Sequence, residues 1–168
     1  MKEPEKKEIL QKKQMILLKL TEALQKENAG FWLERLEAGK SGRMHIAVMT
    51  EPYLSLVLSG EKTMESRFSK RKQPPWGKVA QGDTVILKKS GGGYVGIFEA
   101  GSVRFFHPES REETAAIQSS WNDRLCIRED FRQAKADSRY VTLIEIERLC
   151  RFEPFFLTFA NRQAWIVL

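Results

Sequence analysis

Ser59-Gly-Glu-Lys-Thr-Met-Glu-Ser-Arg-Phe68 sets a lysine, a glutamate and an arginine close behind a glycine. Upstream, Glu51-Pro-Tyr-Leu-Ser-Leu-Val-Leu-Ser59 carries proline near its start and no glycine, so it reads as a short helix that Gly60 ends. Beyond Gly60 the residues alternate, Lys62, Met64 and Ser66 against Thr63, Glu65 and Arg67, which is the period of an extended strand. Extension predicts Thr63, Glu65 and Arg67 on one side, with Lys62 on the other or turned at the corner. The two cations can hold phosphate or carbonyl oxygen, and the carboxylate can accept from an exocyclic amine or activate water. A solvated strand on which Glu65 pairs with a neighbouring cation has the same composition, so this stretch alone leaves both readings open.

Working outward, His45-Ile-Ala-Val-Met49 reads as a strand before the short helix, and Arg71-Lys-Gln-Pro-Pro-Trp-Gly77 as a stiff basic loop after the decisive stretch. Gly82-Asp83 marks a turn into the strand Thr84–Lys88, and Ser90-Gly-Gly-Gly93 turns the chain into Tyr94–Phe98 and Val103–Phe106. Pro108 to Ser138 is a helical insert, split near Trp121-Asn122, before strands at Tyr140–Ile146 and Arg162–Leu168. At the start, residues 5–27 and Phe31–Glu37 have helical composition; the Leu10/Leu17/Leu24 line predicts packing onto the chain's own domain or a dimer seam. The pattern is α+β: a small mixed β-barrel with flanking helices and an N-terminal helical extension.

The chain of 168 residues carries a formal charge of +6. Between Arg67 and Arg104 stand eight basic residues and two acids, and outside that window the charges balance. A local excess of this kind is the footprint of a phosphate-binding face, or simply a lysine-rich solvated surface. No apolar run is long enough to span a bilayer, and no signal-peptide core follows the first residues. Cys126 and Cys150 lack metal-ligand spacing and read as buried thiols of a reducing compartment, which implies a cytoplasmic protein without membrane partners. His45 and His107 read as surface or capped histidines. No metal, phosphate-loop or serine-nucleophile motif is present, and no cofactor is implied.

Gly60, Lys62, Glu65 and Arg67 fill a GxKxxExR pattern, with Gly82-Asp83 downstream and Gln163-Ala-Trp165-Ile-Val-Leu168 as a closing strand. In this order the chain resembles the ASCH (activating-signal-cointegrator homology) domain family of the PUA-like superfamily. The likeness covers residues 43–168, leaving 1–40 as an added helical element. It implies a PUA-like barrel whose cleft is lined by Lys62, Glu65 and Arg67, with Gly60 giving the backbone room. Family members are associated with RNA or modified nucleosides, and a few are hydrolases. The small amidohydrolases among them, acting on N4-acetylcytidine, use a threonine nucleophile three residues after the motif lysine, where this chain has Glu65. Its nearest threonine is Thr63.

RNA, or a modified nucleoside or nucleotide, is therefore the expected ligand. Gly60, Lys62, Thr63, Glu65, Arg67, Tyr53 and Trp76 are the candidate binding residues. Phe68, Trp76 and Tyr94 would stack bases, while Lys70, Arg71, Lys72, Lys88 and Lys89 would follow the nucleic-acid backbone. The alternatives are a small hydrolase, amidohydrolase-like or a ribonuclease, using Lys62 and Glu65, and a protein-interaction module acting through the N-terminal helices. The sequence leaves the oligomeric state open.

Overall fold

A computed structural model gives the fold and describes residues 3–158 and 162–168. Six strands form one curled sheet: β1 (Met44–Met49), β2 (Met64–Ser69), β3 (Thr84–Lys89), β4 (Tyr94–Phe106), β5 (Tyr140–Phe155) and β6 (Trp165–Val167), in the order β2-β5-β4-β3-β1-β6. Only the β1–β3 pair is parallel; the other four neighbours run antiparallel. β4 and β5 are longer than the sequence pattern predicts, because register shifts between Tyr94 and Gly96, Ile97 and Glu99, and Ala100 and Val103 bend the pair rather than end it. At Gly96 a Cβ would lie 3.1 Å from the Cys150 carbonyl oxygen, so the missing side chain lets the two strands approach at the bend. β6 is shorter than expected.

The curl leaves a half-barrel whose edge strands are β2 and β6. Its concave face packs Ala47, Met49, Val85, Leu87, Phe98, Ala100, Ile144 and Trp165 with Leu54 and Val57 of α3 (Tyr53–Leu58). The opposite face is covered in two parts. α1 (Glu3–Lys26) and α2 (Gly30–Glu37) lie on Ile46, Ile86, Tyr94, Ile97 and Phe152. The insert, comprising α4 (Arg111–Ser120), α5 (Asn122–Leu125) and α6 (Glu129–Ala134), lies on Met64, Phe68, Val141 and Leu143. Ser110 starts α4 by accepting the Glu113 backbone N–H at 3.1 Å, a side-chain cap legible as Ser-x-x-Glu.

α1 packs on the sheet through Ile16, Leu20, Ala23 and Leu24, whereas Leu10 is exposed and Leu17 only half-buried. The buried line is thus displaced from the Leu10/Leu17/Leu24 heptad, since it must follow the full helical period against a sheet. Each buried leucine there contributes about 2 kcal/mol of transfer free energy. Trp32 of α2 donates its indole N–H to the Arg148 carbonyl at 2.9 Å, and Arg35 pairs with Glu99 at 2.8 Å, so the N-terminal helices share a core with the sheet. No described helix is long and apolar enough to cross a membrane.

Candidate functional site

Gly60 follows α3 with a φ of +83°, a conformation that favours glycine. A Cβ there would meet nothing within 4 Å, so the residue supplies a turn rather than room for a neighbouring backbone. The turn is pinned by Lys62 N–H to the Leu56 carbonyl at 2.9 Å and Thr63 N–H to the Arg124 carbonyl at 3.1 Å. Strand alternation starts only at Met64, which changes the expected placement of Thr63. Lys62 turns inward, 2% exposed, and donates to the Leu125 carbonyl at 2.8 Å. Thr63 turns outward to accept from Arg124 Nε at 3.2 Å and does not line the site.

Glu65 and Arg67 share the concave side. Arg67 reaches across the open edge of the half-barrel, donating to the carbonyls of Val48 and Ala164 at 3.1 Å each. Its guanidinium lies 5.2 Å from the Trp165 ring centroid. Arg67 Nε is 3.0 Å from Glu65 Oε1, an ion pair in which Nε makes no directed hydrogen bond. Glu65 is 3% exposed, and its Oε2 has no hydrogen-bond partner among the described residues. Lys62 Nζ stands 3.9 Å from that oxygen. Burial pushes the Lys62 ammonium below the ordinary lysine value, outweighing the attraction of Glu65.

These side chains line a cavity of about 690 Å³ between the half-barrel edge and the insert. Tyr53, Phe68 and Trp76 stand in its wall, as does Phe131, whose ring meets those of Tyr53 and Phe68 edge-on at 5.4 and 5.8 Å. Trp76 packs edge-on against Tyr140 at 5.2 Å, with Lys72 Nζ 5.1 Å from its ring. Phe131, Lys135, Thr142, Arg162 and Gln163 also line the cavity, and the sequence offered no sign of them. They belong to the insert, to β5 and to the approach to β6, far from the decisive stretch in the chain. Only the interleaving of Phe131 with bases on a short helix could have marked it.

The basic residues divide. Arg71 and Lys72 are exposed on the loop that carries Trp76, and Lys70 there is 3.6 Å from Asp137. Lys89 lies 3.8 Å from Glu51. Lys88 leans over Tyr94, 5.9 Å from its ring, on the face covered by the N-terminal helices. Tyr94 itself is 2% exposed and stacked on Phe155, a core residue unable to stack a base. Cys126 and Cys150 are free and half-buried.

His45 is fully buried rather than at the surface. Its Nε2 lies 3.0 Å from Asp83 Oδ2, and its Nδ1 accepts the Trp165 indole N–H at 3.1 Å. Both contacts are satisfied by the neutral ring protonated at Nε2. Among the described residues no three of His, Cys, Asp and Glu converge as a metal site.

A curled mixed sheet, a helical insert over its edge and an inward Lys-Glu-Arg set define a PUA-like domain of the ASCH type. The ASCH domain family matches residues 48–150, and the chain belongs to that family. Among solved structures, it is similar to the ASCH protein of Zymomonas mobilis, with a TM-score of 0.59 at 12% identity over 74% of this chain and 87% of that one. A mutant of the same protein gives a TM-score of 0.61 at 14% identity, covering 77% and 90%. At such identities the likeness is one of fold. No curated protein sequence matches the chain significantly.

Proposed function

We propose that this ASCH domain binds single-stranded RNA and holds one nucleotide of it in the cavity. The observation that carries the reading is Glu65 Oε2, buried and unpartnered beside the Lys62 ammonium in a cavity of about 690 Å³. A buried acceptor without a donor is destabilising, and a base N–H entering the cavity would satisfy it. Lys62 would then face an adjacent ring or carbonyl acceptor on the same base edge. Tyr53, Trp76 and Phe131 offer aromatic surface, and the volume falls within the roughly 300–1,000 Å³ common for small-ligand sites. Lys70, Arg71, Lys72, Lys135 and Arg162 supply cations for the flanking phosphates.

Fluorescence anisotropy with a labelled, mixed-sequence oligoribonucleotide tests the reading. Affinity should fall with salt by a slope of about 0.7 per phosphate contact. Lys62→Ala and Glu65→Ala should each weaken binding by about tenfold or more. Absence of binding to any such RNA at low salt overturns it.

A second reading, hydrolysis of an acylated nucleoside or an RNA phosphodiester, is favoured by one feature: the lowered basicity of Lys62 within reach of a carboxylate. Thr63 faces away, so that chemistry would need water or a substrate hydroxyl as nucleophile, with Lys62 and Glu65 moving the proton. Turnover of N4-acetylcytidine or labelled RNA that disappears in Lys62→Ala would establish it; turnover that survives the substitution excludes this site.

A further inference from the structure

One wall of the cavity is held from behind. Trp165 faces the cavity, and its indole N–H points away from it, to His45 Nδ1 at 3.1 Å. Asp83 Oδ2, 3.0 Å from His45 Nε2, accepts the ring's other N–H and thereby fixes its tautomer. On the cavity side Trp165 is the shelf for the Arg67 guanidinium, 5.2 Å from the ring centroid, and Arg67 is the ion-pair partner of Glu65 at 3.0 Å. Asp83, His45, Trp165, Arg67 and Glu65 thus form one contiguous series, from the turn before β3 to the unpartnered carboxylate oxygen.

We infer that His45 is a positioning residue for the ligand site, holding Trp165 and Arg67 in their binding arrangement only while its imidazole is neutral, so that acidification weakens ligand binding. This inference rests on the nucleotide-binding reading of the cavity. A proton on Nδ1 would set two N–H groups against each other across 3.1 Å, and Trp165 would lose its acceptor. The indole would have to turn, and the surface beneath Arg67 would move with it. Trp165, with its ring 5.6 Å from His45, is the only described aromatic ring stacked or tilted against that imidazole.

The charged groups around His45 agree with a neutral resting ring. Burial above all opposes the proton, Asp83 from the turn before β3 favours it, and Arg43 just ahead of β1 opposes it, leaving the group below its ordinary value. Asp83 is already engaged by the backbone N–H groups of Arg43 and Ala80, at 2.9 and 2.8 Å. On the far side of that turn, Arg35 holds the Gly82 carbonyl and pairs with Glu99. Beyond Trp165 stand Arg67, Glu65 and Lys62. By linkage, a ligand that needs Arg67 in place holds His45 neutral to lower pH.

The test uses the full chain and a labelled, mixed-sequence single-stranded RNA, with anisotropy read at constant ionic strength from about pH 8 to about pH 5, the range in which histidine titrates. Wild-type affinity should fall about tenfold across that range, the effect of one lost hydrogen bond. His45→Gln, whose amide can still accept from Trp165 and donate to Asp83 without titrating, should flatten the profile, as should Trp165→Phe. A folded His45→Gln protein with an unchanged profile overturns the inference. If that variant does not fold, an unchanged profile in Trp165→Phe does the same. NMR of the ligand-free wild type separates failure here from failure of the RNA reading. The Trp165 indole N–H and Arg67 Nε–H resonances should move together with the His45 titration whether or not RNA binds, and their standing still while His45 titrates overturns the inference.

Discussion

Two buried polar clusters sit on the same half-barrel, and they differ in how completely they are satisfied. In the first, Asp83 accepts the backbone N–H of Arg43 and Ala80 and the ring of His45, and His45 accepts from Trp165, so every polar atom named has a partner. In the second, Lys62 donates to the Leu125 carbonyl and the Arg67 terminal nitrogens to those of Val48 and Ala164, yet Arg67 Nε makes no directed hydrogen bond and Glu65 keeps one buried oxygen without a donor. A closed network fixes a turn and two strand ends against each other. An open one sacrifices stability and points to a ligand that would complete it. The first cluster is the architecture that backs the site, and the second is the site itself.

The largest effect that could break this contrast is Asp83→Ala. It would strand three donors, two around the start of β1 and one in the loop before the turn, and should lower unfolding free energy by about 3–5 kcal/mol, measured by denaturant titration. A loss below about 1 kcal/mol would mean the closed network is not what holds the turn. Lys62→Met should behave oppositely. Removing the buried ammonium leaves a neutral Glu65–Arg67 pair and orphans only the Leu125 carbonyl, so stability should fall by no more than about 1–2 kcal/mol while RNA affinity drops by about tenfold or more. A strongly destabilised Lys62→Met would reassign that lysine to the architecture.

Acid should sharpen the same contrast. Burial lowers the His45 pKa in the folded chain relative to the ordinary 6.5. Between the folded and unfolded values the unfolded chain holds more protons, so stability rises with pH and is lost as pH falls from 6.5 through the folded value. Half-buried acids such as Glu145, lowered from 4.5 by its hydrogen bond from Arg124, act with the same sign but only further into acid. Thermal unfolding should therefore show an early acid limb that vanishes in His45→Gln. An early limb that survives the substitution assigns it to another group.

How legible these clusters were follows from their chain spacing. Lys62, Glu65 and Arg67 lie within one turn and strand, so composition and period expose them, although the alternation holds only from Met64 and Thr63 therefore faces the other way. Tyr53 and Trp76 were legible as aromatics next to that strand. His45, Asp83 and Trp165 belong to three separate elements; nothing local distinguishes a buried, doubly bonded histidine from one at a strand edge. Phe131 and Lys135 reach the cavity only because the insert folds over β2. The half-barrel was legible as a succession of strands and turns, but not the lengths of β4 and β5, since bulges continue strands that propensity would end.

The smallest expected effect concerns the charge excess itself, which the sequence presents as one window and the fold divides. Arg71 and Lys72 stand on the Trp76 loop beside the cavity, whereas Lys88 leans over Tyr94 on the face under the N-terminal helices. If phosphate contacts follow the cavity, Lys72→Gln should lower the slope of log affinity against log salt by about 0.7, the single-strand value for one contact. Lys88→Gln should leave that slope unchanged, because a strand threaded past Trp76 would have to round the sheet edge to reach it. Equal slopes for the two variants would mean that the RNA reads net charge over the whole surface. Glu65 would then be left without the ligand that its unpaired oxygen implies.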